Sequence, residues 1–228
     1  MMHTETPEET DMSYPPPLAA TLSGASVRQL TYWRRNTPGK GVLFAPEHGT
    51  RPRALYSYRD IVVLRTFVQL RGDLSLQKVR KVVALLESMH PGTHLSAHKV
   101  KAEPGGATAV WVTPDGDYVD VLKSPGQRAL KVVMDDVFGA FTTSDGRHVP
   151  NLGEPTTGVT IDPEVRGGYP VIEGTRIPFH VVAGLRADGM PPEEIAELYP
   201  SVSPAEVEGA VELAQLVAET TKRGSTAA

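Results

Sequence analysis

The stretch SVRQLTYWRR, residues 26–35, places three arginines and two aromatic rings in ten positions of a chain whose formal net charge is −4. On a helix, Val27, Leu30 and Arg34 fall on one side with Trp33 beside them. Arg28, Tyr32 and Arg35 recur on the other at i, i+4, i+7, flanked by Gln29. The apolar seam would seat the helix and leave Arg, Gln and Tyr facing outward. A DNA duplex is read by such groups: arginine neutralises phosphate or grips guanine bidentately, glutamine reads adenine, and tyrosine donates to phosphate. Ser26, a good N-cap, opens the helix. The expected DNA-facing set is Ser26, Arg28, Gln29, Tyr32 and Arg35, joined from the following loop by Arg51, Arg53 and Tyr56, with Lys40 nearby.

Other chemistry is thinly represented. His90, His94 and His98 have helical metal-ligand spacing, but Pro91 and Gly92 break the helix that would align them, so no metal site is expected. Gly39-Lys40-Gly41 lacks the Ser or Thr and the preceding strand of a phosphate loop. Without cysteine, disulfides and Cys-based zinc sites are excluded. No nucleophile, base and acid assemble by order or spacing, so neither catalytic residue nor cofactor is expected.

These residues need elements to hold them. Leu18–Leu22 reads as a short helix, with Gly24 as the turn into the helix opened by Ser26; together they form a helix-turn-helix. Residues 37–55, rich in Gly and Pro, read as a loop or irregular β-wing. Ser57 and Asp60 have capping-box spacing before a helix bearing Ile61, Leu64 and Val68, and another helix runs from about Ser75 to Met89. TAVWVTPDGDYVDVL, 108–122, is a hairpin pattern turning at Pro114-Asp115-Gly116. Asp135-Asp136 would cap a short helix at Val137–Phe141. Helices at about 179–188, 192–198 and 204–221 follow, the last opened by Ser203-x-x-Glu206.

Charge divides the chain. Residues 26–81 carry 12 Lys/Arg against 3 Asp/Glu, a net of +9, whereas residues 151–228 carry 5 against 12, a net of −7. A basic block followed by an acidic one implies two halves with different partners. The expected organisation is a disordered tail (1–15), a DNA-binding domain (16–90), a β-rich middle (91–150), a linker (151–157), an acidic helical domain (158–221) and a frayed end (222–228). No apolar run approaches the roughly 20 residues that span a bilayer, and the N-terminus lacks the apolar core of a secretory signal. A cytoplasmic protein is the default expectation.

LSGASVRQLTYWRR and LYSYRDIVVLRTFVQLRGDLSLQKVRKVV resemble the winged helix-turn-helix head of the MerR transcription regulators over about residues 17–89. The resemblance implies DNA contact by Arg28, Tyr32 and wing residues near Arg53 and Tyr56. The chain departs from that family in carrying Arg34 and Arg35 where an acidic residue is usual, and in lacking its long dimerisation helix. Residues 167–214, GGYPVIEGTRI followed by GMPPEEIAELYP, closely resemble domain of unknown function 433. Such domains occur in proteins resembling VapB-type antitoxins, so a PIN-domain ribonuclease toxin is the implied partner.

The acidic module would dock a basic protein surface through Glu193, Glu194 and Glu197. Arg176 either reaches into a carboxylate-rich ribonuclease site or ties its own turn by bidentate hydrogen bonds. A homodimer formed through Ile195, Leu198, Val207 and Val211 is an equal possibility for this module. The fold expected is mainly α with a small β-insert (α+β), an N-terminal winged helix-turn-helix plus a C-terminal three-helix antitoxin-like domain. The function expected is a type II antitoxin that binds operator DNA; the alternative is a stand-alone MerR-like regulator sensing a small ligand.

Overall fold

The computed structural model describes residues 13–50, 52–103, 106–123 and 137–226. Pro15 to Pro17 preset the backbone for α1 (Pro16–Ser23), whose first-turn prolines sacrifice only N–H groups that a helix leaves unpaired. Gly24 ends it at φ +79°, and a Cβ built there would lie 2.6 Å from Val149 Cγ2. Only glycine suits that turn. α2 (Val27–Trp33) follows, opened by a complete capping box: Ser26 Oγ accepts from Gln29 N and Gln29 Oε1 from Ser26 N. Leu30 and Trp33 are its buried face.

Residues 37–55, expected as a loop or irregular β-wing, form a loop without paired strands among the described residues. One bridge, Thr37 to Gly41, closes a tight turn, and the loop folds back so that Leu43 N and Phe44 N donate to Trp33 O. α3 (Tyr58–Asp73) carries the Ser57–Asp60 capping box, and α4 (Leu76–Met89) is capped by Ser75. β1 (Lys99–Ala102), β2 (Ala109–Val112) and β3 (Tyr118–Asp120) form an antiparallel sheet in that order. The hairpin expected at 108–122 is β2–β3; β1 was not foreseen. The helix expected at Val137–Phe141 is absent: 137–139 bend, and β4 (Phe141–Thr142) pairs with β5 (His148–Val149). Asp135 and Asp136 lie outside the described residues.

The C-terminal part pairs β6 (Val159–Thr160) with β7 (Val171–Ile172), then adds α5 (Phe179–Ala187), α6 (Pro192–Leu198) and α7 (Pro204–Thr226). Its three helices start where the sequence reading places them. The Ser203–Glu206 box is formed, and α7 runs into the expected frayed end, up to Thr226.

One buried cluster runs from Tyr14 to Leu213, so the halves share a core. α7 packs on α1 and α2, with a Thr21 Oγ1 to Thr220 Oγ1 hydrogen bond of 3.0 Å. Tyr14, assigned by sequence to a disordered tail, is fully buried, bridged to Tyr56, and donates through its hydroxyl to Gly168 O. Residues 151–157 are not an open tether either. Leu152 is buried and its N–H donates to Phe138 O at 2.7 Å, while Thr156 Oγ1 donates to Gly209 O at 2.8 Å.

Candidate nucleic-acid and partner interfaces

The first candidate surface is built on α2. Seated by Leu30 and Trp33, the helix leaves Arg28 exposed and Tyr32 40% exposed. Trp33 packs edge-on against Phe67 of α3, ring centroids 5.8 Å apart, which fixes the roll of the helix. Arg35 is also exposed, but it lies beyond the C-cap residue Arg34, in a turn closed by its own N–H to Tyr32 O. The helix therefore presents Arg28 and Tyr32, and the turn supplies Arg35. Arg53 is exposed on the following loop, and Arg51 lies outside the described residues.

Three expected contacts change. Ser26 Oγ is committed to the cap. Gln29 Oε1 accepts from Ser26 N at 2.7 Å, so the amide cannot offer both its atoms to adenine. Tyr56 is 1% exposed, its backbone paired with Tyr14, and burial pushes its hydroxyl pKa up. It is a core residue rather than a wing contact.

The loop is anchored at the start of α3. Asp60 Oδ2 accepts from Ser57 N at 2.9 Å and Glu47 N at 2.8 Å, and Oδ1 faces His94 Nε2 at 3.3 Å. Burial pushes the Asp60 carboxyl up, against these hydrogen bonds and His94. Glu47, Asp60 and His94 lie close enough to suggest cation ligands. However, His94 Nδ1 accepts from Ser96 N at 3.2 Å, so the Nε2–H points at Asp60 and the lone pair a metal would need is spent. The cluster is a cap network. His90 and His98 do converge, ring centroids 5.1 Å apart against Trp111, because the Pro91-Gly92 break reverses the chain. His94 stands apart from them.

Sequence reasoning missed Arg65. Its guanidinium is fully buried and donates to five carbonyls: Leu22 O (2.5 Å), Val137 O (2.6 Å), Phe138 O (3.4 Å), Gly139 O (2.5 Å) and Pro150 O (3.1 Å). It also lies 4.9 Å from the Phe141 ring centroid. The signal was an arginine four residues after Ile61, inside an apolar stripe.

The second surface lies on the acidic part. Thr175 Oγ1 donates to Ile172 O at 2.8 Å and accepts from Ile177 N at 3.0 Å, so threonine, not arginine, ties the turn after β7. Arg176 is exposed and, among the described residues, makes no hydrogen bond or ion pair. Glu193, Glu194 and Glu197 are exposed on α6 beside Leu198, which is 56% exposed. Ile195 and Val207 are fully buried in the chain's own core and have no surface to give a dimer; Leu198 and part of Val211 do.

Residues 159–214 match the family described as a protein of unknown function, DUF433. No curated protein matches the chain. Among solved structures, the crystal structure of Rv2018 from Mycobacterium tuberculosis is similar at 17% identity, covering 87% of this chain and 96% of that one with a TM-score of 0.50. That likeness is one of fold, and it spans both charge halves. Among the described residues no helix is long and apolar enough to cross a membrane.

Proposed function

We propose that this chain is a DNA-binding antitoxin: the α1–α2 helix-turn-helix, MerR-like in sequence, binds operator DNA, and the DUF433 part holds a PIN-domain ribonuclease inactive. The observation that carries the DNA reading is the split of α2 into a buried Leu30–Trp33 seat and an outward Arg28–Tyr32 face extended by Arg35. It is the division a recognition helix needs. The toxin reading is supported by the company DUF433-like domains keep, by the unpaired Arg176 and by the exposed acidic face of α6. An arginine without partners can enter a carboxylate-lined ribonuclease site, while the glutamates meet the basic surface that binds RNA. Two copies on a two-fold operator would double the contacts.

The test is a gel shift on DNA from upstream of the chain's own coding sequence. The double variant Arg28→Ala, Arg35→Ala should lose about 100-fold in affinity, from two arginine contacts of about 1–3 kcal/mol each, with an unchanged melting curve. Undiminished binding at physiological salt would remove α2 from the interface. For the partner, Arg176→Glu should release ribonuclease activity from the co-purified complex while leaving the gel shift intact. The stand-alone regulator remains the second reading, favoured by a cavity between α3 and β1.

A further inference from the structure

Between α3, the turn at Leu95–Ala97 and β1 lies a cavity of about 340 Å³. Its apolar walls are Val62, Leu70, Val100, Ala102, Val137 and Phe138, the last 44% exposed. That volume falls in the range of roughly 300–1,000 Å³ occupied by small-molecule sites. Among the described residues the charged side chains lining it are Asp73, Lys99 and Lys101, with Asp73 and Lys99 exposed at the solvent side and no hydrogen bond or ion pair made by the Lys99 ammonium. An apolar interior with the Lys99 ammonium at its mouth fits a compact amphiphile bearing one anionic group.

Beyond the packing of α3 itself on α1, the Arg65 side chain ties the cavity wall to the helix-turn-helix. Val137 and Phe138 form its wall, and their carbonyls accept from Arg65 Nε and Nη2; Nη1 of the same guanidinium donates to Leu22 O, in the last turn of α1. Two residues later Gly24 turns the chain into α2. A planar guanidinium cannot follow a shifted wall without altering its grip on Leu22.

We propose that this cavity binds a small anionic amphiphile and that its occupancy is relayed through Arg65 to the turn that sets α2. The consequence for DNA rests on the recognition-helix reading; binding in the cavity does not.

The probe is 1-anilinonaphthalene-8-sulfonate, titrated into the full chain by fluorescence. Saturable binding of one probe per chain is expected. Thr66→Phe fills the cavity from α3, where the threonine hydroxyl bonds only its own helix at Val62 O. It should weaken the probe at least tenfold with unchanged circular dichroism, and Lys99→Glu should weaken it several-fold. Equal affinity in wild type and Thr66→Phe places the probe on the outer surface and overturns the site.

Hydrogen exchange over residues 16–33, read with and without probe, tests the relay without any DNA. Exchange should change in wild type and stay constant in Arg65→Lys at probe concentrations that the fluorescence titration shows to saturate that variant. If Arg65→Lys does not fold, the same change must vanish in Thr66→Phe at equal probe concentration. Identical exchange in wild type with and without probe overturns the relay. Because neither readout uses DNA, a failed gel shift leaves both outcomes interpretable.

Discussion

Five main-chain carbonyls from three separated segments converge on Arg65, so its removal strips donors from groups that water cannot easily reach. Leaving buried acceptors unpaired costs about 1–3 kcal/mol each before relaxation. Arg65→Met, which keeps the apolar stem, should therefore lose about 3 kcal/mol or more of stability, read as a lower urea midpoint. A shift within 0.5 kcal/mol, the order of an ordinary surface substitution, would mean that the carbonyls find other partners.

At the same scale, burial and then neighbouring His90 hold the His98 imidazole below its ordinary pKa of 6.5. A base depressed in the folded state stabilises the fold above pH 6.5, and that contribution fades as pH falls toward the folded value. The unfolded chain takes up the proton first. Melting temperature should fall between pH 7.5 and 5.5, and His98→Asn should flatten the fall; an unaltered slope would assign it to other groups. His180, depressed mainly by burial with Arg166 adding to it, acts in the same direction.

Elements were legible where their signals are local. Ser26, Ser57 and Ser203 announce helix starts because a cap is written within four residues, and the structure closes all three boxes. The β2–β3 turn was legible for the same reason. β1 was not, since Lys99–Ala102 becomes a strand only by pairing with Ala109–Val112 across a ten-residue separation of mean position. β4 and β5, two residues each, are too short to show alternation. Tyr56 was misread because aromatic residues serve both cores and DNA, and only Tyr14 decides which. α2 is the element most dependent on its ends: seven residues are too few to be helical alone. Ser26→Ala should cost about 1 kcal/mol and Ser26→Gly only a few tenths, while Gly24→Ala, forced to φ +79° against Val149, should cost about 2 kcal/mol or more. Urea unfolding of the three variants gives the ranking, and a Gly24→Ala no worse than Ser26→Ala would contradict the tight turn.

The charge asymmetry that divides the sequence does not divide the molecule. A basic and an acidic half read as two domains because charge is a surface property, while the apolar residues that join them look alike in both. In the fold, α1 lies against α7, Tyr14 reaches Gly168 with its ring tilted 6.0 Å from that of Tyr169, and Leu152 is buried. A fragment of residues 1–150, which contains the whole basic block, would lack the helix against which α1 packs. It should show no cooperative melting transition and no gel shift. Residues 151–228 supplied in trans should restore both, because the missing contacts are side-chain packing and hydrogen bonds rather than chain connectivity. A cooperative melt from residues 1–150 alone would show that the basic half owns a sufficient core. In that case α7 would be a docked accessory, and the proposed DNA-binding and partner-binding functions would be separable after all.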